Sequence, residues 1–154
     1  MNNSDWKNNK LRKLKDYFFL GYYSRKVSEN KSSQTWFDRG MVWLFAYNHE
    51  EAIACFEKAI EADQKCAFAY WGIAYAVGPN YNKHWEVFTP NEKGPVLEKA
   101  HKFIENGLAL PDLPVLEKKL LEALRQRYPE NHTVEDFQPY SDAFASAMRP
   151  VYQE

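Results

Sequence analysis

Cysteine and glycine are scarce in this chain, with two cysteines and six glycines among 154 residues. Cys55 and Cys66 are too few for a disulfide framework, so we expect two buried or half-buried thiols. The sequence has no Gly-rich phosphate loop and no motif typical of an activated serine or cysteine. No apolar run approaches the length of about 20 residues that a membrane-spanning helix needs.

Neither sign of charge dominates, because 20 Lys and Arg residues stand against 21 Asp and Glu residues. A balanced chain has no overall field that would attract nucleic acid or an anionic membrane, so we expect neither as a partner. The basic stretch Lys7–Lys15 is explained by a solvated face. The aromatic cluster after it is too short for a secretory signal, which indicates a cytosolic or nuclear location, and we favour the cytoplasm.

Strand-like alternation of polar and apolar residues is missing, and the apolar spacing is helical throughout. Asn48 and Thr133 are each followed three residues later by an acidic residue, the spacing of a helix-start pair. Pro95 and Pro114 lie where a first-turn proline is tolerated. The pattern therefore predicts an all-α chain with six helices, near 34–46, 49–63, 66–78, 95–109, 113–127 and 133–152.

The predicted helices are similar to one another at a fixed period. The pairs Trp36/Tyr70 and Gly40/Ala74 are each separated by 34 residues. The run "WFDRGMVW", followed by A-x3-F-x2-A from Ala52, resembles the tetratricopeptide repeat (TPR), which has this period. The resemblance implies antiparallel helix pairs that stack into a right-handed solenoid.

This resemblance also divides the chain. It implies an N-terminal segment, 1–32, that packs on a repeat domain, 33–154. The domain comprises repeat 33–66, repeat 67–110 with an insertion at 79–94, and a degenerate pair, 113–154. The stretches "LGYYSRKVSENKSSQTWFDRG" and "AYWGIAYAVGPNYNKHWE" further resemble the N-terminal part of an uncharacterised bacterial and fungal branch of TPR-domain proteins. That likeness implies a longer repeat architecture of which this chain is the front.

Gly40 raises a physical question, because a glycine inside a helix costs about 1 kcal/mol relative to alanine. In a TPR the two helices of one repeat cross closely, and a small residue at the crossing lets their backbones approach. We therefore expect Gly40 to contact the helix that contains Ala52, with Trp36, Trp43 and Phe56 filling the space around that contact.

The resemblance implies that the first helix of each repeat lines an inner face that binds a protein or peptide partner. The inner-face residues, which are mostly apolar, are Gln34, Phe37, Met41, Leu44, Phe68, Trp71 and Tyr75. They lack the Asn, Lys and Arg clamp with which the chaperone-tail receptors of the family bind a C-terminal carboxylate, so we exclude that ligand.

Such an apolar face is either a binding groove or is covered by the chain itself, and we favour covering. One covering candidate is the last helix. The other is an aromatic cluster formed by Tyr17, Phe18, Phe19, Leu20, Tyr22 and Tyr23.

The last predicted helix carries an apolar stripe formed by Phe137, Tyr140, Phe144, Met148 and Val151. No polar capping helix follows it, whereas solenoids normally end in a solvated cap. A second copy of the chain, another partner or the inner groove would then cover the stripe, and the first of these gives a homodimer. The alternative is that the stripe packs on the helix predicted at 113–127 and leaves nothing exposed.

No histidine stands in a metal-binding motif, because "HEEAI" lacks the second His of H-E-x-x-H. Turns within the repeats share one edge of a solenoid, which brings the turn before Ala52 towards the inserted loop. The loop is polar and aromatic, with Asn80, Tyr81, Asn82, Lys83, His84, Trp85 and Glu86. The candidate catalytic residues are His49, Glu50, His84 and His101, with a histidine as the general base. Alternatively, the histidine and asparagines only satisfy backbone groups at helix starts and turns.

The sequence therefore favours an interaction or scaffold module that binds a hydrophobic peptide or helix, or that associates with itself. The binding residues would be Phe37, Met41, Phe68, Trp71, Tyr75, Asn80, Tyr81, Asn82 and Trp85. The alternative function is a small-molecule or metal-dependent site between the His49 turn and the 79–94 loop. We expect no cofactor and no resident metal.

Overall fold

The computed structural model describes residues 23–153. In this range the helices are α1 (Lys31–Phe45), α2 (His49–Ala62), α3 (Ala67–Val77), α4 (Pro90–Leu108), α5 (Val115–Arg125) and α6 (Gln138–Tyr152). A 3-10 helix, Trp85–Val87, precedes α4, and no β-strand occurs among the described residues. The prediction of an all-α chain is confirmed. The predictions for residues 7–15 and for the aromatic residues 17–22 lie outside the described range.

The first two helices begin at asparagines that cap them. Asn30 accepts hydrogen bonds through its side chain from the amides of Ser32 and Ser33, so α1 begins three residues earlier than predicted. Asn48 accepts one from the amide of Glu51, 3.4 Å away, and the predicted start of α2 is confirmed. These bonds satisfy amides that have no partner within the helix.

The start of α4 was predicted wrongly. The helix begins at Pro90 and not at 95, because Thr89 and Glu92 form a reciprocal capping box around it. Pro90 is therefore the first-turn proline, while Pro95 lies inside the helix. As a consequence, the inserted loop ends at Thr89, and residues 90–94 belong to α4.

The start of α6 was also predicted wrongly, since the helix begins at Gln138 and not at 133. The amide and hydroxyl of Thr133 donate to the side chain of Asn131 in a turn, so Thr133 caps no helix. Asp136 instead accepts from the amide of Gln138. Pro114 likewise lies just before α5, at its N-cap, and not in its first turn.

The helices pack in chain order, each against the next from α1 to α6. Two further contacts join α1 to α3 and α3 to α5. The buried side chains form two clusters. The first cluster lies mainly between α1, α2 and α3, and the second between α3, the 3-10 helix, α4 and α5. The third helix therefore contributes to both halves of the core.

Phe56 on α2 is fully buried between two glycines. A Cβ atom at Gly40 on α1 would lie 2.5 Å from one edge of the Phe56 ring. A Cβ atom at Gly72 on α3 would lie 2.6 Å from the opposite edge. The expected contact of Gly40 with the second helix is confirmed, and its physical reason is that no side chain larger than hydrogen fits there.

Trp36 on α1 is half-buried, and two cationic side chains lie over its ring. The guanidinium of Arg39 lies 4.8 Å from the ring centroid and the ammonium of Lys58 on α2 lies 4.2 Å from it. Both cations therefore pack on the face of the Trp36 ring and cover part of it.

Cys55 and Cys66 are both free and buried, which confirms the prediction made for the thiols. Burial raises the pKa of both thiols, which disfavours the reactive thiolate. Among the described residues, no helix combines the length and apolar character needed to cross a membrane.

We expect Gly40→Ala to lower the free energy of unfolding by about 1–3 kcal/mol, because the Phe56 ring cannot retreat towards Gly72. Urea unfolding followed by circular dichroism measures the change. Gly94→Ala is the matched control. Its Cβ would meet nothing within 4 Å inside α4, and the gain in helix propensity is opposed by Pro95, which directly follows, so this variant should not show the loss expected for Gly40→Ala.

A double-mutant cycle with Phe56→Leu tests the reason for that loss. Since the smaller side chain makes room for the methyl group, Gly40→Ala should cost less in the Phe56→Leu background than in the wild type. An equal cost in both backgrounds would show that the Phe56 contact is not the cause.

Candidate functional site

The predicted inner-face residues lie mostly in the core. Four of them are buried in the first cluster, namely Phe37, Met41, Leu44 and Phe68. Trp71 and Tyr75 are half-buried and stack on each other, with ring centroids 4.9 Å apart. The face is therefore not an open apolar groove.

Residues 23–28 have no regular secondary structure and are bound along this face by one side chain of α1. The Gln34 amide nitrogen donates to the carbonyl oxygen of Arg25 at 2.7 Å. The Gln34 amide oxygen accepts from the backbone N–H groups of Val27 at 2.9 Å and Ser28 at 3.3 Å. A single glutamine therefore satisfies three backbone groups of the preceding segment.

Arg25 connects this segment to three helices. Its backbone N–H donates to Asp38 on α1 at 3.4 Å. Its guanidinium carbon lies 4.9 Å from the ring centroid of Phe68 on α3. A guanidinium nitrogen lies 4.0 Å from the carboxylate of Glu117 on α5. Residues 23–28, which include none of the predicted cluster except Tyr23, therefore cover part of the inner face.

The first part of the inserted loop is a tight turn organised by Asn80. Its side-chain oxygen accepts from the backbone amides of Asn82 at 2.9 Å and Lys83 at 3.1 Å. The Lys83 ammonium donates a hydrogen bond to the Glu92 carboxylate at 2.6 Å. This hydrogen bond is the main reason that the pKa of Glu92 falls to about 2. Asn80 thus has the turn role that was the alternative to a binding role, whereas Asn82 takes part through its backbone N–H and is exposed.

Trp85 fixes the second part of the loop in the core. It is only 4% exposed, and its ring stacks on Phe137 with centroids 4.2 Å apart. Phe88 and Tyr128 complete its surroundings at 5.1 and 6.2 Å. Trp85 was predicted to bind a ligand and Phe137 to form an interface, but the two side chains contact each other in the core.

Tyr47 links the His49 turn with the inserted loop. Its ring centroid lies 6.3 Å from His49 and 6.4 Å from Tyr81. Tyr47 and Tyr81 are both largely exposed, and Tyr47 has a left-handed backbone with φ of 60°. Partial burial lowers the pKa of His49, which favours its neutral form. The predicted approach of the two segments occurs through a tyrosine and not through the histidines.

The candidate catalytic histidines are not brought together. His84 is exposed and lines a cavity beside the loop, whereas His101 lines a different cavity of about 540 Å³. The Nε2 atom of His101 lies 3.1 Å from the carbonyl oxygen of Pro129. Glu50 is exposed in the first turn of α2. Within residues 23–153, no group of three or more His, Cys, Asp or Glu side chains could hold a metal ion.

The cavity beside the loop, here called the loop cavity, has a volume of about 370 Å³ and lies between the end of α3, the inserted loop and the start of α6. Its lining is mixed polar and aromatic, and comprises Tyr75, Pro79, Asn80, Tyr81, His84, Trp85, Glu86, Arg127, Phe137, Gln138 and Ser141. Its volume is in the range of small-molecule sites.

Arg127 is the main lining residue that the sequence analysis missed. It donates to the carbonyl oxygen of Pro79 at 2.7 Å, and its guanidinium lies between the rings of Tyr75 and Phe144, at 5.1 and 5.4 Å. A signal for it exists, because Arg127 falls within the helix predicted at 113–127, three positions after the apolar Leu124. In the structure it lies in the turn that follows α5.

Tyr128 is buried next to the end of α3. Its hydroxyl donates to the carbonyl oxygen of Ala74 at 2.6 Å, in the last turn of α3. A Cβ atom at Gly78 would collide with this hydroxyl, so glycine is required where α3 ends. Burial raises the pKa of Tyr128 to about 12.

Part of the apolar stripe predicted on the last helix packs against the core of the same chain. Phe144 packs against the second cluster, and Met148 and Val151 pack against the first. Tyr140 lines the cavity that contains His101. This packing resembles the alternative in which the stripe stays within the chain, although no residue of α6 is fully buried.

We expect Tyr128→Phe to lower the free energy of unfolding by about 1–3 kcal/mol, because the carbonyl of Ala74 is left buried without its donor. Tyr81→Phe, at a side chain that is 81% exposed, is the control and should change nothing measurable. Chemical unfolding of the three proteins measures both effects.

The pH dependence of the unfolding free energy provides a second test of the role of Tyr128. The folded protein holds the Tyr128 proton more tightly than the unfolded chain, in which tyrosines have a pKa of about 10. Its contribution to stability is thus complete below pH 10 and is lost as the pH rises to about 12. The unfolding free energy of Tyr128→Phe should fall less steeply over this window, and equal slopes would contradict the assignment.

Comparison of the chain with protein-family models, with curated proteins and with solved structures finds no match in any of the three. The function is therefore inferred from the geometry described above.

Proposed function

We propose that this chain is a tetratricopeptide-type helical-repeat module that binds an extended peptide on its inner face. The packing order supports the repeat architecture, because α1 with α2, α3 with α4 and α5 with α6 form three successive helix pairs. The first helices of the pairs, α1, α3 and α5, also pack in series, as expected where repeats stack side by side.

The observation that carries the proposal is the binding of residues 23–28 on this face. The segment contacts α1 through Gln34 and Asp38, α3 through Phe68, and α5 through Glu117. It therefore crosses the first helix of every pair. A surface that holds one stretch of polypeptide in this way has the shape and the hydrogen-bonding groups to hold another.

Gln34 recognises backbone and not side chains. A side-chain amide offers both donors and an acceptor, and Gln34 uses one of each on the backbone of residues 25–28. The carbonyl of Arg25 and the N–H of Val27 lie on the same side of the backbone, as in an extended chain, and the chain bends at Val27–Ser28, where two consecutive N–H groups face the Gln34 oxygen. Such contacts bind extended peptides with little dependence on their sequence.

The selectivity of the site comes from the pocket that Arg25 occupies. Its guanidinium packs on the Phe68 ring and approaches the Glu117 carboxylate, whose side chain is only 13% exposed. A partly buried carboxylate next to an aromatic ring prefers a cation. The partner is therefore an extended peptide that contains an arginine or lysine, and the chain's own segment competes with it.

The test uses a labelled peptide of residues 20–30 and the full-length protein. Arg25→Glu removes the cation that the face binds, so the chain's own segment should be displaced and the peptide should bind about tenfold more tightly than to the wild type. Lys26→Glu is the control, since Lys26 pairs only with the exposed Glu29. Fluorescence anisotropy measures the three affinities.

Gln34→Leu separates release of the segment from loss of the site. This variant also frees the segment, but it lacks the amide that would bind the added peptide, so binding should stay weak. Equal affinity of the wild type, Arg25→Glu and Lys26→Glu, or no binding to any of them, would refute the proposed function.

A further inference from the structure

Two side chains of opposite charge line the loop cavity, and neither has a charged partner. They are Arg127, near the end of α5, and Glu86, in the 3-10 helix. Among the described residues, no carboxylate lies within ion-pair distance of Arg127 and no cation within that distance of Glu86. The lysine of the loop, Lys83, is bound instead to Glu92.

Arg127 is held in place but is not fully satisfied. One terminal nitrogen donates to the carbonyl of Pro79, whereas the other, Nη1, is buried and finds no hydrogen-bond acceptor in the described part of the chain. The rings of Tyr75 and Phe144 hold the guanidinium between them. The guanidinium therefore has a fixed position beside the cavity, and its positive charge is not neutralised by any carboxylate of the described residues.

Glu86 gives the cavity its second charge. The residue is exposed, and no hydrogen bond or ion pair engages its carboxylate within residues 23–153. A simple anion would be attracted by Arg127 and repelled by Glu86, and a simple cation would meet the reverse arrangement. A ligand that carries both charges is attracted by both residues.

We propose that the loop cavity binds a free α-amino acid as its zwitterion. The carboxylate pairs with Arg127, whose planar guanidinium suits carboxylate oxygens, and the ammonium pairs with Glu86. The volume of about 370 Å³ admits a molecule of this size, and the exposed ring of Tyr81 offers an apolar surface for its side chain. This inference does not depend on the proposed peptide function, because the loop cavity shares only the half-buried Tyr75 with the inner face.

Saturation-transfer NMR with the full-length protein and each of the common amino acids tests the proposal. At least one amino acid should receive saturation and bind with a measurable Kd. Glu86→Gln keeps the shape of the exposed side chain but removes its charge, so affinity for that amino acid should fall about tenfold. The analogue without the amino group is a simple anion, so it should lose no affinity in Glu86→Gln and should bind this variant more tightly than the wild type, because the repelling carboxylate is gone.

Arg127→Lys should weaken binding of both the amino acid and its deaminated analogue, because lysine lacks the guanidinium fork. Arg125→Lys is the control, since Arg125 pairs with Glu105 and lines the other cavity. Circular dichroism establishes that each variant is folded. The absence of binding by every amino acid, or an affinity unaffected by Glu86→Gln, would overturn the proposal.

Discussion

The packing of one phenylalanine between two glycines is the constraint on which the first half of the molecule depends. Phe56 fills the space between α1 and α3 because Gly40 and Gly72 leave that space free. The distances from α2 to α1 and to α3 are thereby fixed at this point. The cost of glycine in two helix interiors is small compared with the burial of a whole aromatic ring.

The second half is fixed by a different aromatic residue. Trp85 inserts from the loop between α3 and α4 and stacks on Phe137, which immediately precedes α6. The loop and the last helix are therefore held to each other, and the loop cavity lies where they meet. Tyr128 joins the segment after α5 to α3, because its hydroxyl reaches the carbonyl of Ala74 only where Gly78 has no side chain.

The sequence predicted the helices well and the site only in part. The capping pair at Asn48, the contact made by Gly40 and the burial of both thiols follow from local chemistry and helical spacing. Thr133 and Pro95 misled the prediction because each fits a helix start locally, whereas Thr89 and Phe137 decide where α4 and α6 begin. Arg127 was missed because the sequence placed it in a predicted helix, where arginine is usually a surface residue.

The helical class and the internal period were determined by the sequence itself, because both depend on residue spacing along the chain. Tertiary structure alone decided that Trp85 is a core residue and that Gln34 binds the backbone of residues 25–28. It also decided that Arg127 and Glu86 line one cavity. These facts depend on distances between segments far apart in the chain, and such distances are fixed only when all the helices have packed.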